Sequence, residues 1–230
     1  MDLAAWTDWV MQKRIIHANP PKKSYSQFGE DIQILRMVDS EPRVYWDIGS
    51  GHPVLGNNTF ALYRRGWQGI LVEPIPELAK ISKRFRPKDV VINKVISDGA
   101  SQLKFYRFHP YQYSTTLESQ AKKYIASGIR LISTIDIEAV DINSFIGILP
   151  DAPTVISIDT EGNDASILKQ ILKLEIYPTL FCIEDYSPQL SKSFIHSKLS
   201  DIGYTLVAWI PPSSIYLLEN GGRPGQMSAK

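Results

Sequence analysis

Short apolar runs recur along this chain, and each stops at a carboxylate or close to one. Val44–Trp46 stops at Asp47, Gly69–Val72 at Glu73, Val90–Ile96 just before Asp98, and Thr154–Ile158 at Asp159. Thr179–Ile183 stops at the pair Glu184 and Asp185. Val90–Ile96 is β-branched, and Thr154–Ile158 is a nearly continuous apolar run, which predicts a strand covered on both faces. Segments with helical spacing fall between them: Thr59–Arg65, Glu77–Phe85, Ala165–Leu174 and Pro188–Leu199. Strands alternating with helices predict an α/β fold around a mostly parallel sheet. Tyr204–Trp209 and Ile215–Leu218 are joined by a short link, which predicts a C-terminal antiparallel hairpin. Leu103–Phe108 alternates weakly and reads as an edge strand or small hairpin, and Ala139–Val140 as a short strand. His109–Thr116, rich in Tyr, Ser and Thr, reads as a loop, and Ile142–Ile148 as a short helix.

Ahead of these elements, Trp6, Trp9, Val10 and Lys13 recur at helical spacing, so Ala4–Ile16 predicts an amphipathic helix that Asn19-Pro20-Pro21 stops. Such a helix would pack outside the domain or against a second copy of the chain, a route to a homo-oligomer. Ser24–Asp31 leads into another helix, with Glu30 and Asp31 in the first turn, where the helix dipole favours carboxylates. The organisation predicted is a helical extension over 1–23, one domain over 24–220 and a flexible tail over 221–230.

Composition narrows the function. The chain has 230 residues, 43% hydrophobic and 21% charged, with formal net charge +1. A folded core is expected at that balance, and a near-neutral chain without basic runs argues against phosphate-driven nucleic-acid binding. No apolar run approaches the roughly 18 residues of a membrane span. Asp2 and Asp8 sit where a secretory leader needs positive charge. Cys182 is the only cysteine, which excludes an internal disulfide, suits a reducing cytoplasm and reads as buried filler.

The candidate chemistry centres on Val44–Glu73: strand, glycine loop, helix, strand. Gly49 and Gly51 let a ligand lie against the backbone. Glu73 lies past the loop where an acid reads ribose hydroxyls. The loop is not G-x-G-x-x-G and no Walker lysine follows it, so a dinucleotide or triphosphate is not required. S-adenosylmethionine, with its ribose, cationic sulfur and amino-acid tail, suits an Asp-x-Gly-x-Gly loop better. The bland alternative is a structural turn with two surface acids.

Four stretches resemble one family. Ser26-Gln27-Phe28-Gly29-Glu30-Asp31 is similar to the SQ-aromatic-GED signature of the FkbM methyltransferases. Asp47-Ile48-Gly49-Ser50-Gly51-His52-Pro53 with Asn58-Thr59 resembles that family's cofactor loop, with Ser50 where Ala is common. Gly66-Trp67-Gln68-Gly69 before Glu73-Pro74 resembles its second strand, and Ile158-Asp159-Thr160-Glu161-Gly162-Asn163-Asp164 its ID-x-EG motif. The resemblance implies a Rossmann-like class I methyltransferase fold, a seven-stranded sheet with helices on both faces and one reversed strand near its edge. It implies methyl transfer from S-adenosylmethionine to a hydroxyl of a small-molecule or saccharide acceptor. Gln27 and the Gly49–Gly51 loop, Ser50 included, would face the methionine end, and Asp47 and Asn58 would also belong to the cofactor site. Glu73 would hold the ribose, Asp98 or its neighbours would flank the adenine, and Asp159 is a further cofactor candidate.

The strand-end acids share one edge of a parallel sheet. Like charges gathered there raise one another's pKa, and a cationic ligand or metal offsets the repulsion. Asp159 with Glu184 and Asp185 resembles the Mg²⁺ layout of catechol-type O-methyltransferases; the alternative is that Asp159 and Glu184 serve cofactor and acceptor without metal. Candidate catalytic groups are Asp159, Glu184 and His52, with His109 a further base; His17 and His196 receive no role. An amine acceptor, or a binding module that has lost the reaction, remains open on the sequence.

Overall fold

The computed structural model describes residues 24–39, 41–185, 187, 189 and 192–218. The predicted Ala4–Ile16 helix, the tail 221–230 and part of the predicted Pro188–Leu199 helix lie outside them. In chain order come α1 (Glu30–Met37), β1 (Val44–Ile48), α2 (Phe60–Arg64), β2 (Gln68–Val72) and α3 (Pro76–Phe85). Then follow β3 (Val90–Ile92), β4 (Val95–Ile96), β5 (Gln102–His109), α4 (Glu118–Ala126) and β6 (Arg130–Val140). The remainder is β7 (Val155–Ile158), α5 (Asp164–Lys173), β8 (Leu180–Glu184), α6 (Phe194–Asp201), β9 (Tyr204–Ile210) and β10 (Ser213–Leu218).

The main sheet has seven strands in the order β3-β2-β1-β7-β8-β10-β9, parallel except for β10, which runs against both its neighbours. Alternation along β1 sends Val44, Trp46 and Ile48 to one face, where α5 and α6 cover them with Ile167, Leu168, Ile171, Ile195 and Leu199. Tyr45 goes to the other face, among Ile34 of α1, Leu62 of α2, Trp67 and Leu71. Both faces of the central strands are therefore buried, which is why they read as unbroken apolar runs. β1 lies between β2 and β7, so the chain order reverses there, and the crevice beyond that point is where such sheets bind ligands.

Two departures from the sequence reading reshape the upper half. The predicted strand Val90–Ile96 is two strands. Between them the Asn93 side-chain amide donates to the carbonyls of Glu73 (2.8 Å) and Pro74 (3.0 Å), turning the chain out of the main sheet. Val95 and Ile96 then pair with Ala139 and Val140 in a second sheet, order β4-β6-β5. β6 runs from Arg130 rather than Ala139, antiparallel to β5. This sheet has its own core of Val95, Phe105 and Ile137, closed by Ile75 and Leu78 at α3.

Candidate active site

β1 delivers the glycine loop to the carboxyl edge of the main sheet. Gly49 and Ser50 both donate backbone N–H to the carbonyl of Val72, at 2.9 and 3.0 Å, which seats the loop on the end of β2. Gly49 has φ +82, and a Cβ there would lie 1.7 Å from the carbonyl oxygen of Asp159. No side chain fits, because the chain leaving β1 passes backbone to backbone against the chain leaving β7.

Glu73 is 3% exposed and turns back over this loop. One carboxylate oxygen accepts from Gly51 N–H and the other from Ile75 N–H, each at 2.7 Å. Burial pushes its pKa up to about 7 against the pull of these two donors, and nearby Asp47 adds to the rise. A carboxylate offers about four acceptor positions, so each oxygen keeps one for a ligand.

Asp47 does not reach the cleft. Its buried carboxylate accepts from Asn57 Nδ2 (3.0 Å) and Thr59 Oγ1 (2.6 Å) and lies 3.8 Å from the Arg86 guanidinium. Asn58 also turns inward, its amide donating to Ser157 Oγ at 3.2 Å. Asp98 is exposed on the bend after β4 and does not line the cleft. In the Ser26–Asp31 stretch, Ser26 and Asp31 serve the turn. Ser26 Oγ donates to Asp31 Oδ1 (2.8 Å) and accepts from Gly29 N–H (3.0 Å), while Asp31 accepts from Tyr25 N–H (2.7 Å). Gln27 and Phe28 are left at the cleft wall.

The opposite wall is acidic and aromatic. Asp159, Glu161 and Glu184 bring carboxylate oxygens within 4.8 Å of one another. Burial and the neighbouring charges of Glu161 and Asp164 push Asp159 well above the usual carboxylate range, while its hydrogen bond with Glu184 pulls it back. Glu161 is pushed up to about 7 by burial, against the hydroxyl of Tyr124, which donates to it at 2.6 Å. Its backbone sits at φ 56, in the left-handed region, and its carbonyl accepts from Thr115 Oγ1 at 3.0 Å. Asp164 fixes the turn below by accepting from Thr160 N–H (2.8 Å), Thr160 Oγ1 (3.0 Å) and Gly162 N–H (3.1 Å).

Asp185, grouped with Asp159 and Glu184 on the sequence, faces elsewhere. It accepts from Ser187 N–H at 2.9 Å and from the hydroxyl of Ser193, which caps α6. His52 lines the cleft, but its Nδ1 accepts from Val54 N–H (3.2 Å) and Leu55 N–H (3.1 Å), and burial lowers its pKa. In the neutral tautomer those bonds require, Nε2 carries the proton and is a donor.

The cleft between these walls holds ≈ 270 Å³. Its remaining lining comes largely from the second sheet and the turn after β5: Lys94, Val95, Phe105, Tyr111, Gln112 and Tyr113. Tyr111 is driven above the ordinary phenol range by burial and by the charge of Glu73, and so stays a protonated donor. Sequence reasoning gave Glu161, Tyr111 and Tyr124 no role. The signals were the Thr160-Glu161-Gly162 run, quoted only as part of a motif, and the tyrosines of 111–113.

Residues 47–206 match the family model described as the methyltransferase FkbM domain. No curated protein sequence matches the chain. Among solved structures, the chain is similar to an O-methyltransferase from Bacillus cereus in complex with SAH, at 12% identity and TM-score 0.44, over 94% of this chain and 92% of that one. It is similar to the SAH-bound methyltransferase PaMTH1 of Podospora anserina, at 11% identity and TM-score 0.45, over 96% and 89% of the two chains. A TehB-like SAM-dependent methyltransferase from Corynebacterium glutamicum stands at 11% identity and TM-score 0.44, over 95% and 100%.

Proposed function

This chain belongs to the FkbM methyltransferase family, and from that premise we propose that it methylates a hydroxyl of a sugar, glycan precursor or other small metabolite with S-adenosylmethionine. The observation that carries the reading is the pairing of two unlike walls across one cleft. One is a backbone loop with a half-satisfied acid, Glu73; the other is a cluster of three carboxylates with tyrosine donors.

The donor set suits the cofactor. Glu73 has one acceptor position per oxygen for a ribose diol. Ile75, Val95, Ile96 and Phe105 give the cleft an apolar flank for a flat base. Gly49–Gly51 and Gln27 bound the end that would take the amino-acid tail, and Asp159 stands beside Gly49 to meet an ammonium. When bound, S-adenosylmethionine supplies a methyl group already activated by its sulfonium. The protein's part is then to align an acceptor oxygen and take its proton. Alignment contributes up to about 7–11 kcal/mol and a positioned base about 10²–10⁴-fold. Glu184, hydrogen-bonded to Asp159, is the proton acceptor of this reading. His52 shapes the loop, because Nδ1 is engaged and Nε2 is a donor.

The carboxylate cluster also favours a metal-assisted form. Asp159, Glu161 and Glu184, rather than Asp185, would hold the ion. An oxygen-only set suits Mg²⁺, Mn²⁺ or Ca²⁺, and such an ion would neutralise the cluster and acidify a bound hydroxyl. No helix among the described residues is long and apolar enough to cross a membrane. A lone, buried cysteine suits a reducing compartment such as the cytoplasm.

Calorimetry with S-adenosylhomocysteine tests the cofactor half. Glu73→Ala is expected to weaken binding by about 1.5–3 kcal/mol, the loss of a charged hydrogen bond; unchanged affinity removes Glu73 from the ribose. Turnover on an acceptor panel tests the other half. Glu184→Gln is expected to lower the rate and leave cofactor affinity in place. Chelation that lowers turnover supports the metal-assisted form, and full turnover in chelator eliminates it.

A further inference from the structure

Arg86 is fully buried yet does not line the cleft. Its side chain uses all five N–H donors. Nε donates to Asp89 Oδ2 (2.7 Å), and Nη1 to Asn57 Oδ1 (3.0 Å) and to the carbonyl of Pro53 (3.5 Å). Nη2 donates to the hydroxyl of Tyr45 (2.6 Å) and to Thr59 Oγ1 (2.8 Å). The planar group also lies 5.3 Å from the ring centre of Tyr45 and 5.5 Å from that of Tyr63.

The partners carry the contact onward. Asn57 Oδ1 accepts from Arg86 and from the backbone N–H of Thr59 (3.0 Å) and Phe60 (2.7 Å). The oxygen of the amide must therefore face these donors, and its nitrogen faces the other way. That nitrogen donates to the carbonyl of Ser50 at 2.9 Å and to Asp47. One guanidinium thus touches the glycine loop directly at Pro53 and through one side chain at Ser50. The position of Gly51 N–H, which holds Glu73, depends on the same loop.

A buried ion cluster is a poor device for stability alone. Well-packed apolar side chains of similar volume are often as stabilising or more so, whereas ion clusters fix geometry. Here one cation faces two buried carboxylates, Asp47 and Asp89. The five donors leave in a fixed fork, and a lysine offers three from one point.

We propose that Arg86 is a positioning residue: from behind the loop it sets where Ser50 to His52 present their backbone to the cofactor. The inference rests on the cofactor reading above for its ligand but not for its effect on the loop. The test uses the whole chain, with Arg86→Lys and the milder Tyr45→Phe, which keeps the ring and removes the bridging hydroxyl. The readouts are S-adenosylhomocysteine affinity by calorimetry, amide hydrogen exchange of ligand-free protein, and urea unfolding. Arg86→Lys is expected to raise Kd roughly tenfold and Tyr45→Phe by less. Both are expected to speed exchange over 49–58 while β7 and β8 stay as protected as in the parent. Folded variants with parental Kd and parental loop exchange overturn the proposal, however far the urea midpoint falls. If Arg86→Lys does not fold, Tyr45→Phe decides on the same readouts. If the parent protein does not bind S-adenosylhomocysteine, the cofactor reading fails and loop exchange alone judges Arg86.

Discussion

Glu73 is held by two backbone donors and still sits high, because burial costs its charged form more than the donors return. Its folded pKa of about 7 stands above the ordinary 4.5. Between these values the folded protein holds a proton that the unfolded chain has released, so stability falls as pH rises through the window. The slope contributed is about 1.4 kcal/mol per pH unit. Glu161, also near 7, acts over the same window in the same direction. Urea unfolding of ligand-free protein is therefore expected to show lower stability at pH 8 than at pH 5. Glu73→Gln should shrink that difference, and adding Glu161→Gln should shrink it further. A profile that rises from pH 5 to 8 and is insensitive to both changes would remove the burial argument. Single residues were only partly legible in the sequence. An acid at a strand end announces the edge it occupies but not which way it turns. Asp47 and Asp185 turn to donors in their own loops, Asn57, Thr59 and Ser193, which no periodicity reports.

The central strands of the main sheet were readable because both their faces are covered, leaving runs such as Val155–Ile158 without a polar position to confuse the pattern beyond Ser157. The second sheet was harder. β6 does alternate, with Ile135, Ile137 and Ala139 inward of Thr134, Asp136 and Glu138. Within β6 only Ile137 is buried, so the apolar signal is thin. In α4 just Ala121 is buried, which leaves almost no helical stripe to find. The break at Asn93 depends on its bonds to Glu73 and Pro74, a tertiary cause. Phe105, 3% exposed, packs with Ile75, Leu78, Val95 and Ile137 and with no strand of the main sheet in that core. Phe105→Ala is expected to cost about 3–5 kcal/mol. Its hydrogen exchange should rise over β5 and β6 while β1 and β7 keep their protection. Equal loss of protection in both sheets would mean that they unfold as one unit.

At the scale of the molecule, the cleft is a joint between two sheets that differ in how they were built from the chain. The main sheet draws its strands from both ends of the described sequence, whereas Tyr111, Tyr113 and Tyr124 come from one continuous stretch. That stretch leaves and returns at a seam: Val95 pairs with Ala139 and Ile96 with Val140, Ser97 N–H meets the carbonyl of Val140 at 2.9 Å, and Ala139 N–H meets that of Ser101 at 2.9 Å. Entry and exit are neighbours, so residues 98–138 can be regarded as a cassette whose plug fits one socket. Exchanging it for the matching stretch of another family member, with Phe105 kept for the base flank, should retune acceptor choice while keeping S-adenosylhomocysteine affinity within about tenfold, or 1.4 kcal/mol. A chimera that folds but no longer binds S-adenosylhomocysteine would show that the stretch belongs to the cofactor as well. If the cassette behaves, acceptor range in this lineage can diversify by replacement of one segment, without renegotiating the contact that fixes Gly49 against the backbone of Asp159.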